Sequence, residues 1–116
     1  WEGFGIEPSR QAARHARERF GLDVFCGELL AFDLASDREF REPGGERFDA
    51  VHCAQVLEHV LDPEACVARI AELVLPGGVA FVEVPNDFNV LQEIARRKLG
   101  KSAWWVAPDH HLNYFD

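Results

Sequence analysis

Four short stretches of this chain hold side chains that could do chemistry. In "GFGIEPS" an apolar, glycine-containing run ends on Glu7, and Pro8-Ser9 break it. The pattern reads as a short strand with a carboxylate at its tip and a helix start behind it. Such a carboxylate can accept two charge-assisted hydrogen bonds from a ribose diol. It can also stabilise the first turn of the following helix. In "VFCGELL", Glu28 follows a second strand-like run. It could accept from an exocyclic amine such as that of adenine while Leu29 covers the ring face, or it could simply open a helical turn. In "CAQVLEHVLDP", a buried run delivers Ala54, Gln55, Glu58 and His59 just before Asp62-Pro63. A neutral imidazole there can take a proton from a hydroxyl or an amine. Its plainer use is to pack the loop between strand and helix. The fourth stretch, "APDHHLNYFD", brings Asp109, His110 and His111 together, and one of these histidines can face a site.

A zinc centre does not assemble from these residues. His52 and Cys53 are adjacent on a strand and point to opposite faces. Cys66 falls on the apolar side of a helix, so His52, Cys53, His59 and Cys66 do not make a tetrahedral set.

The elements that must position these groups alternate along the chain. "GFGIE" predicts a strand. "SRQAARHARERFG" predicts a helix capped by Ser9 and closed at Gly21, with Ala12, Ala13, Ala16 and Phe20 on one face. "LDVFCG" predicts a second strand, and "ELLAFDL" at most a helical turn. "ASDREFREPGGER" is polar and reads as a surface loop with a weak helical start near Asp37. "FDAVHCAQV" predicts a third strand, apolar on both faces as in a central parallel strand. "DPEACVARIAELV" is the clearest helix: Asp62 caps it, Pro63 sits in its first turn, and Cys66, Ile70, Leu73 and Val74 line one side, before "PGG" ends it. "VAFVEV" predicts a fourth strand and "NVLQEIARRKLG" a third helix, its basic residues late where they suit the dipole. The tail "KSAWWVAPDHHLNYFD" is aromatic and irregular. The order β-α-β-loop-β-α-β-α indicates right-handed βαβ units, a parallel sheet and ligands at the C-terminal strand ends.

Bulk properties narrow the function. At 116 residues the chain holds one domain at most. Its net charge of -8 argues against nonspecific nucleic-acid binding and against an anionic membrane surface. No apolar run approaches the roughly 20 residues of a membrane span, and no basic start leads into an apolar block. The 3 cysteines, Cys26, Cys53 and Cys66, lack CxxC spacing and read as reduced thiols of a cytoplasmic protein. The chain starts on Trp1 and contains no methionine, which reads as a piece of a longer protein.

"FDAVHCAQVLEHVLDP", together with "GIEPS", "LPGGVAFVEVPN" and "HHLNYF", resembles class I S-adenosylmethionine-dependent methyltransferases, in the subgroup near the ubiquinone-biosynthesis O-methyltransferases. The likeness runs over nearly the whole chain. It implies an α/β, Rossmann-like parallel sheet with flanking helices, of which residues 1–116 would be a single partial domain holding strands two to five of seven. It implies S-adenosylmethionine as cofactor and methyl transfer to a small-molecule or lipid-like acceptor. By position, Glu7 with Pro8 would hold the ribose hydroxyls, Glu28 and Leu29 would sit near the adenine, and Ala54 and Gln55 would border the methionine part. His59 is the first candidate base and His111 the second, with Trp104, Trp105, Tyr114 and Phe115 as acceptor-pocket walls or simple packing.

The resemblance also puts the family's first strand and glycine-rich loop ahead of Trp1, and its last two strands after Asp116. Without the first strand two sheet edges are exposed, so closure of the gap or self-association is expected, with weak cofactor binding by the fragment. Some such relatives bind a divalent ion through a Glu-x-x-Glu-His run. Here the run is Gln55-Val56-Leu57-Glu58-His59, and exchanging a carboxylate for an amide weakens a hard-cation site, so no metal is expected. Two other classes stay open on the residues alone. One is a nicotinamide-nucleotide domain, because an acid after a second strand suits that cofactor too. The other is a non-catalytic scaffold that keeps the fold.

Overall fold

The structure is a computed structural model of the chain. It describes residues 2–33 and 47–116. The chain divides into two compact units, residues 1–47 and 48–116.

In the first unit, strand β1 (Phe4–Ile6) leads through helix α1 (Arg10–Phe20) to strand β2 (Asp23–Phe25). The two strands pair in parallel, from Phe4 against Asp23 to Ile6 against Phe25. Ser9 caps α1, its side chain accepting from the Ala12 N–H, and Gly21 closes it in the left-handed conformation. Ala13 is the buried residue of α1, whereas Phe20 is 65% exposed, its ring edge-on to His15. Ala12 and Phe20 therefore depart from the expected apolar face, with Ala16 half-buried and Ala13 the one buried member. The Arg17 guanidinium reaches over to the Val24 carbonyl and ties α1 to β2. A 3-10 turn at Leu29–Ala31 follows, as "ELLAFDL" suggested. The core of this unit is Phe32, 1% exposed, between the rings of Phe4 and Phe25. The surface loop expected over residues 35–47 lies outside the described residues, apart from its last residue, Arg47.

The second unit repeats the plan. Strand β3 (Phe48–Ala54), a 3-10 turn (Leu57–His59), helix α2 (Pro63–Leu73), strand β4 (Val74–Glu83) and helix α3 (Val90–Leu99) follow in order. Strands β3 and β4 are parallel neighbours. Asp62 caps α2 through the Ala65 N–H with Pro63 in the first turn, and Cys66, Ile70 and Leu73 are its buried face. Val74, expected on that face, is instead the first residue of β4. The strand thus starts directly at the helix end and runs through Pro76-Gly77-Gly78 rather than after it. Pairing passes from Phe48–Val74 to Ala50–Val79, so the extra residues bulge out of β4. Two glycines allow this. Gly77 has φ +85, and a Cβ on Gly78 would lie 2.7 Å from the Asp49 carbonyl oxygen. Asn89 caps α3 in a reciprocal box with Gln92, Gly100 ends it, and Arg96, Arg97 and Lys98 occupy the last turn.

Among the described residues, four strands, three helices and parallel pairing match the expected Rossmann-like α/β pattern, with the strands in two pairs, β1–β2 and β3–β4. Strand β3 is not buried on both faces: only Cys53 is buried, and His52 on the opposite face is exposed beside Phe81. A central strand needs neighbours and helices on both sides, and among the described residues β3 pairs with β4 alone.

Candidate functional site

The tip of β1 is built from local interactions. The ladder continues one step past both strands, as the Glu7 N–H donates to the Phe25 carbonyl at 3.0 Å and the Gly27 N–H to the Glu7 carbonyl at 3.1 Å. This brings the Glu7 backbone beside Gly27, and Glu28 and Leu29 follow directly. Glu7 is half-buried, and its Oε1 accepts from the Ser9 N–H at 2.7 Å. The helix-start use of this acid is therefore present. A carboxylate offers about four lone-pair sites, so Oε2 stays available to further donors. Pro8 is exposed at the turn into α1. Glu28 is exposed at the N-cap of the 3-10 turn but makes no capping bond, leaving its carboxylate free of that task. Leu29 is half-buried beside it. These acceptors can take hydrogen bonds from a polyol or an amine: one half-buried carboxylate with an oxygen free of the Ser9 bond, a second exposed carboxylate, and an apolar side chain next to it.

The end of β3 is built differently. Ala54 is the last strand residue, half-buried. Gln55 then adopts φ 54, the one positive value among the described residues other than glycine. A left-handed glutamine is strained by about 1–2 kcal/mol, and such strain gathers at sites where the chain must turn sharply. Two bonds to one residue hold it: Gln55 N–H to the Glu83 carbonyl at 2.9 Å, and Gln55 Nε2 to Glu83 Oε1 at 3.3 Å. The kink ends β3 and starts the turn that presents Glu58 and His59.

That turn is clamped by the C-terminal segment. Leu112 N–H and Asn113 N–H donate to the Glu58 carbonyl at 2.7 and 3.1 Å. Asn113 Nδ2 donates to the Leu57 and Val60 carbonyls at 2.9 and 2.7 Å. His59 Nδ1 lies 2.6 Å from the His110 carbonyl oxygen. A carbonyl only accepts, so Nδ1 carries the proton and the Nε2 lone pair is open. His111 stands edge-on to His59 with ring centroids 5.1 Å apart, and Tyr114 follows at 6.1 Å from His111. The structure thus brings both candidate bases together, a pairing of distant positions that spacing alone did not reveal.

Glu58 completes the group. It is 1% exposed, its Oε1 is 3.7 Å from His59 Nε2, and its Oε2 has no partner. His111 Nδ1 and the Tyr114 hydroxyl are likewise buried without partners. Buried polar atoms are normally satisfied; Trp105 Nε1 is a fourth unpartnered atom, and of the four residues Glu58 and His111 are the two grouped with His59. Ligand atoms of Glu58, His59 and His111 lie within 4.8 Å of one another, which could also serve a cation. Cys53, near the end of β3, is a different matter: burial pushes its thiol above the ordinary range, and the Cys66 and Glu58 charges add to this. Such a thiol is not a nucleophile.

Of the aromatic residues, Trp105 is buried and Trp104 is 57% exposed, the two rings packed edge-on. Sequence reasoning named Glu58 beside His59 without assigning it a role, and missed Asn113 altogether. For Asn113 the sequence carried no signal, because its partners are distant carbonyls.

A family model described as a methyltransferase domain matches residues 1–116. The chain belongs to the methyltransferase domain family. Among similar curated proteins, the ubiquinone biosynthesis O-methyltransferase of Aromatoleum aromaticum is 40% identical over 83 residues, covering 71% of this chain and 34% of that protein. The protein of the same name from Caulobacter vibrioides is 35% identical over 104 residues, 88% of this chain and 38% of that one. The Cupriavidus pinatubonensis protein, also of that name, is 43% identical over 86 residues, 71% and 32%. The chain spans about a third of the length of these relatives. No solved structure matches it. Among the described residues no helix is long and apolar enough to cross a membrane.

Proposed function

We propose that the chain is part of one S-adenosylmethionine-dependent methyltransferase domain, which methylates a hydroxyl of a small-molecule or lipid-like acceptor. The observation that carries this reading is the methyltransferase-domain match across the whole chain, with a free carboxylate oxygen at the β1 tip. S-adenosylmethionine, when bound, supplies an electrophilic sulfonium methyl group. Glu7 would hold its ribose hydroxyls, Glu28 and Leu29 would meet the adenine, and Ala54 and the kinked Gln55 would border the methionine part. On the acceptor side, His59 Nε2 takes the hydroxyl proton while Nδ1 stays bonded to the His110 carbonyl. The nearby Glu58 carboxylate then stabilises the imidazolium that forms. His111 lines the same place and can orient the acceptor oxygen. Alignment of that oxygen supplies much of the acceleration.

The three free cysteines suit a reducing, cytoplasmic setting. The unpaired edges of two 2-stranded sheets favour self-association, and the 116 residues alone are expected to bind cofactor weakly. Calorimetric titration of the full-length parent protein with S-adenosylmethionine, and in parallel with a nicotinamide dinucleotide, tests the reading. Binding of the first and its loss by tenfold or more in Glu7→Ala is expected, since hydrogen bonds to a charged group are worth about 1.5–3 kcal/mol. Absence of heat with S-adenosylmethionine at millimolar concentration, or binding of the dinucleotide instead, overturns it.

A further inference from the structure

We infer that Asn113 is a positioning residue that sets the spacing and orientation of the His59–His111 pair, an inference that rests on the methyl-transfer reading above. Five hydrogen bonds join the turn Leu57–Val60 to the segment His110–Asn113, and three of them come from Asn113. Its two side-chain N–H groups are both used, one on the carbonyl before Glu58 and one on the carbonyl after His59. Its own N–H takes the Glu58 carbonyl between them. The amide thus straddles the two residues that carry the buried carboxylate and the open imidazole nitrogen.

The geometry is demanding. Leu57, Glu58 and Val60 present their carbonyls in a non-repeating turn, where no helix or sheet neighbour can satisfy them. Only a short side chain with two donors on one nitrogen bridges two such carbonyls, which selects asparagine over serine or aspartate. The same residue sits two positions after His111, so its anchoring fixes the backbone from which that ring projects. His59 is held from the other side by the His110 carbonyl. Both imidazoles are therefore oriented by one contact zone whose side-chain part is Asn113. It touches neither reacting atom, and acts only through the two rings.

The experiment compares Asn113→Ala and Asn113→Asp with a control variant in the α2 core, Ile70→Val, all well below their unfolding midpoints. Asn113→Asp keeps the packing volume but puts acceptors against carbonyls, so it separates the loss of donors from a cavity. Two readouts are taken. The first is magnetic cross-relaxation between the His59 and His111 rings, with the nitrogen shifts that report the Nδ1–H form of His59. It needs no substrate. In both Asn113 variants the ring contact is expected to weaken and the Nδ1–H form of His59 to lose its dominance, while Ile70→Val leaves both as in the parent. The second is methyl transfer: kcat is expected to fall on the order of 10- to 100-fold, with the KM for the methyl donor unchanged, in the Asn113 variants only. Unchanged ring contact and tautomer in either Asn113 variant overturn the inference, as does an equal kcat loss in Ile70→Val. A parent protein that transfers no methyl group to any hydroxyl acceptor defeats the functional reading instead, and the first readout still decides whether Asn113 positions the pair.

Discussion

At the end of β1 the Glu7 carboxylate is held by Ser9, two residues along; at the end of β3 His59 is held by the His110 carbonyl, 51 residues along. The first end is made from one continuous segment: strand, acid, cap and helix follow each other within a few residues. The second is made from two segments that the chain must bring together, and its chemistry exists only after that closure. Glu7 uses one oxygen on Ser9 and keeps Oε2 available to further donors. His59 has a defined tautomer only because a distant carbonyl fixes it. On the proposed reading the cofactor grip at Glu7 is local, whereas the candidate base His59 is oriented by long-range contacts.

The clearest test of this contrast cuts the long-range side at a point away from His59 and His111. Asp87 is 3% exposed; its carboxylate accepts from the Phe115 N–H at 3.2 Å, and its own N–H donates to the Phe115 carbonyl at 2.8 Å. This pair anchors the end of the segment that carries His111. Asp87→Ala should cost about 1.5–3 kcal/mol, the range for hydrogen bonds to charged groups, in urea unfolding followed by the fluorescence of the buried Trp105. Asp87→Asn keeps an acceptor and should recover part of that loss. A cost below the experimental error for Asp87→Ala would mean that the segment is held elsewhere.

The local side gives a smaller effect. Ser9→Ala removes the cap of α1, whose bond to the Ala12 N–H is long at 3.4 Å. The loss should sit near the lower end of the roughly 0.5–2 kcal/mol range for caps. It should appear as faster amide exchange in the first turn of α1. A loss matching that of Asp87→Ala would erase the contrast between the two ends.

The same division governs what could be read in advance. Ser9, Gly21, Asp62 and Gly100 announce helix ends through their own side chains or backbone freedom, and among the described residues the expected strands and helices all form, although β4 begins at Val74, ahead of the Pro76-Gly77-Gly78 run expected to precede it. Glu7 and Gln55 were legible as strand-end residues for the same reason. The nearness of His59 to His111, the burial of Glu58 and the fork of Asn113 were not, because each depends on which distant segment docks on the turn. Phe20 and the two-sided burial expected of β3 failed for a related reason. Periodicity says which face is apolar, but burial needs a neighbour to cover it, and that neighbour is not encoded within the segment.

A third test concerns pH. Burial raises the Cys53 thiol above the ordinary thiol range, so the folded state favours the neutral form more than the unfolded state does. The stability this contributes is fully present below the ordinary thiol pKa of about 8.5 and is lost as pH rises through the folded value. Stability should therefore decline in alkaline solution, and Cys53→Ser should flatten that decline. Thiol reagents at pH 8 should modify half-buried Cys26 before buried Cys53 and Cys66. Labelling of Cys53 first would show that the β3 end opens more readily than the first unit, against the comparison drawn here.

The smallest effect tests the kink. Gln55 holds φ 54 at the junction between β3 and the turn, with an exposed side chain. Glycine adopts that conformation without a Cβ penalty but loses more freedom on folding, an offset of about 0.4–1 kcal/mol. It also forgoes the long bond to Glu83 Oε1. Gln55→Gly should therefore leave stability within about 1 kcal/mol of the parent. Gln55→Val puts a β-branched residue at a left-handed position and should be the more costly of the two. The Gly–Val difference isolates backbone strain, because both variants lack the amide. If valine were tolerated as well as glycine, the kink would be relaxing in solution, and the turn that presents Glu58 and His59 would be shaped by the Asn113 clamp alone rather than by the end of its own strand.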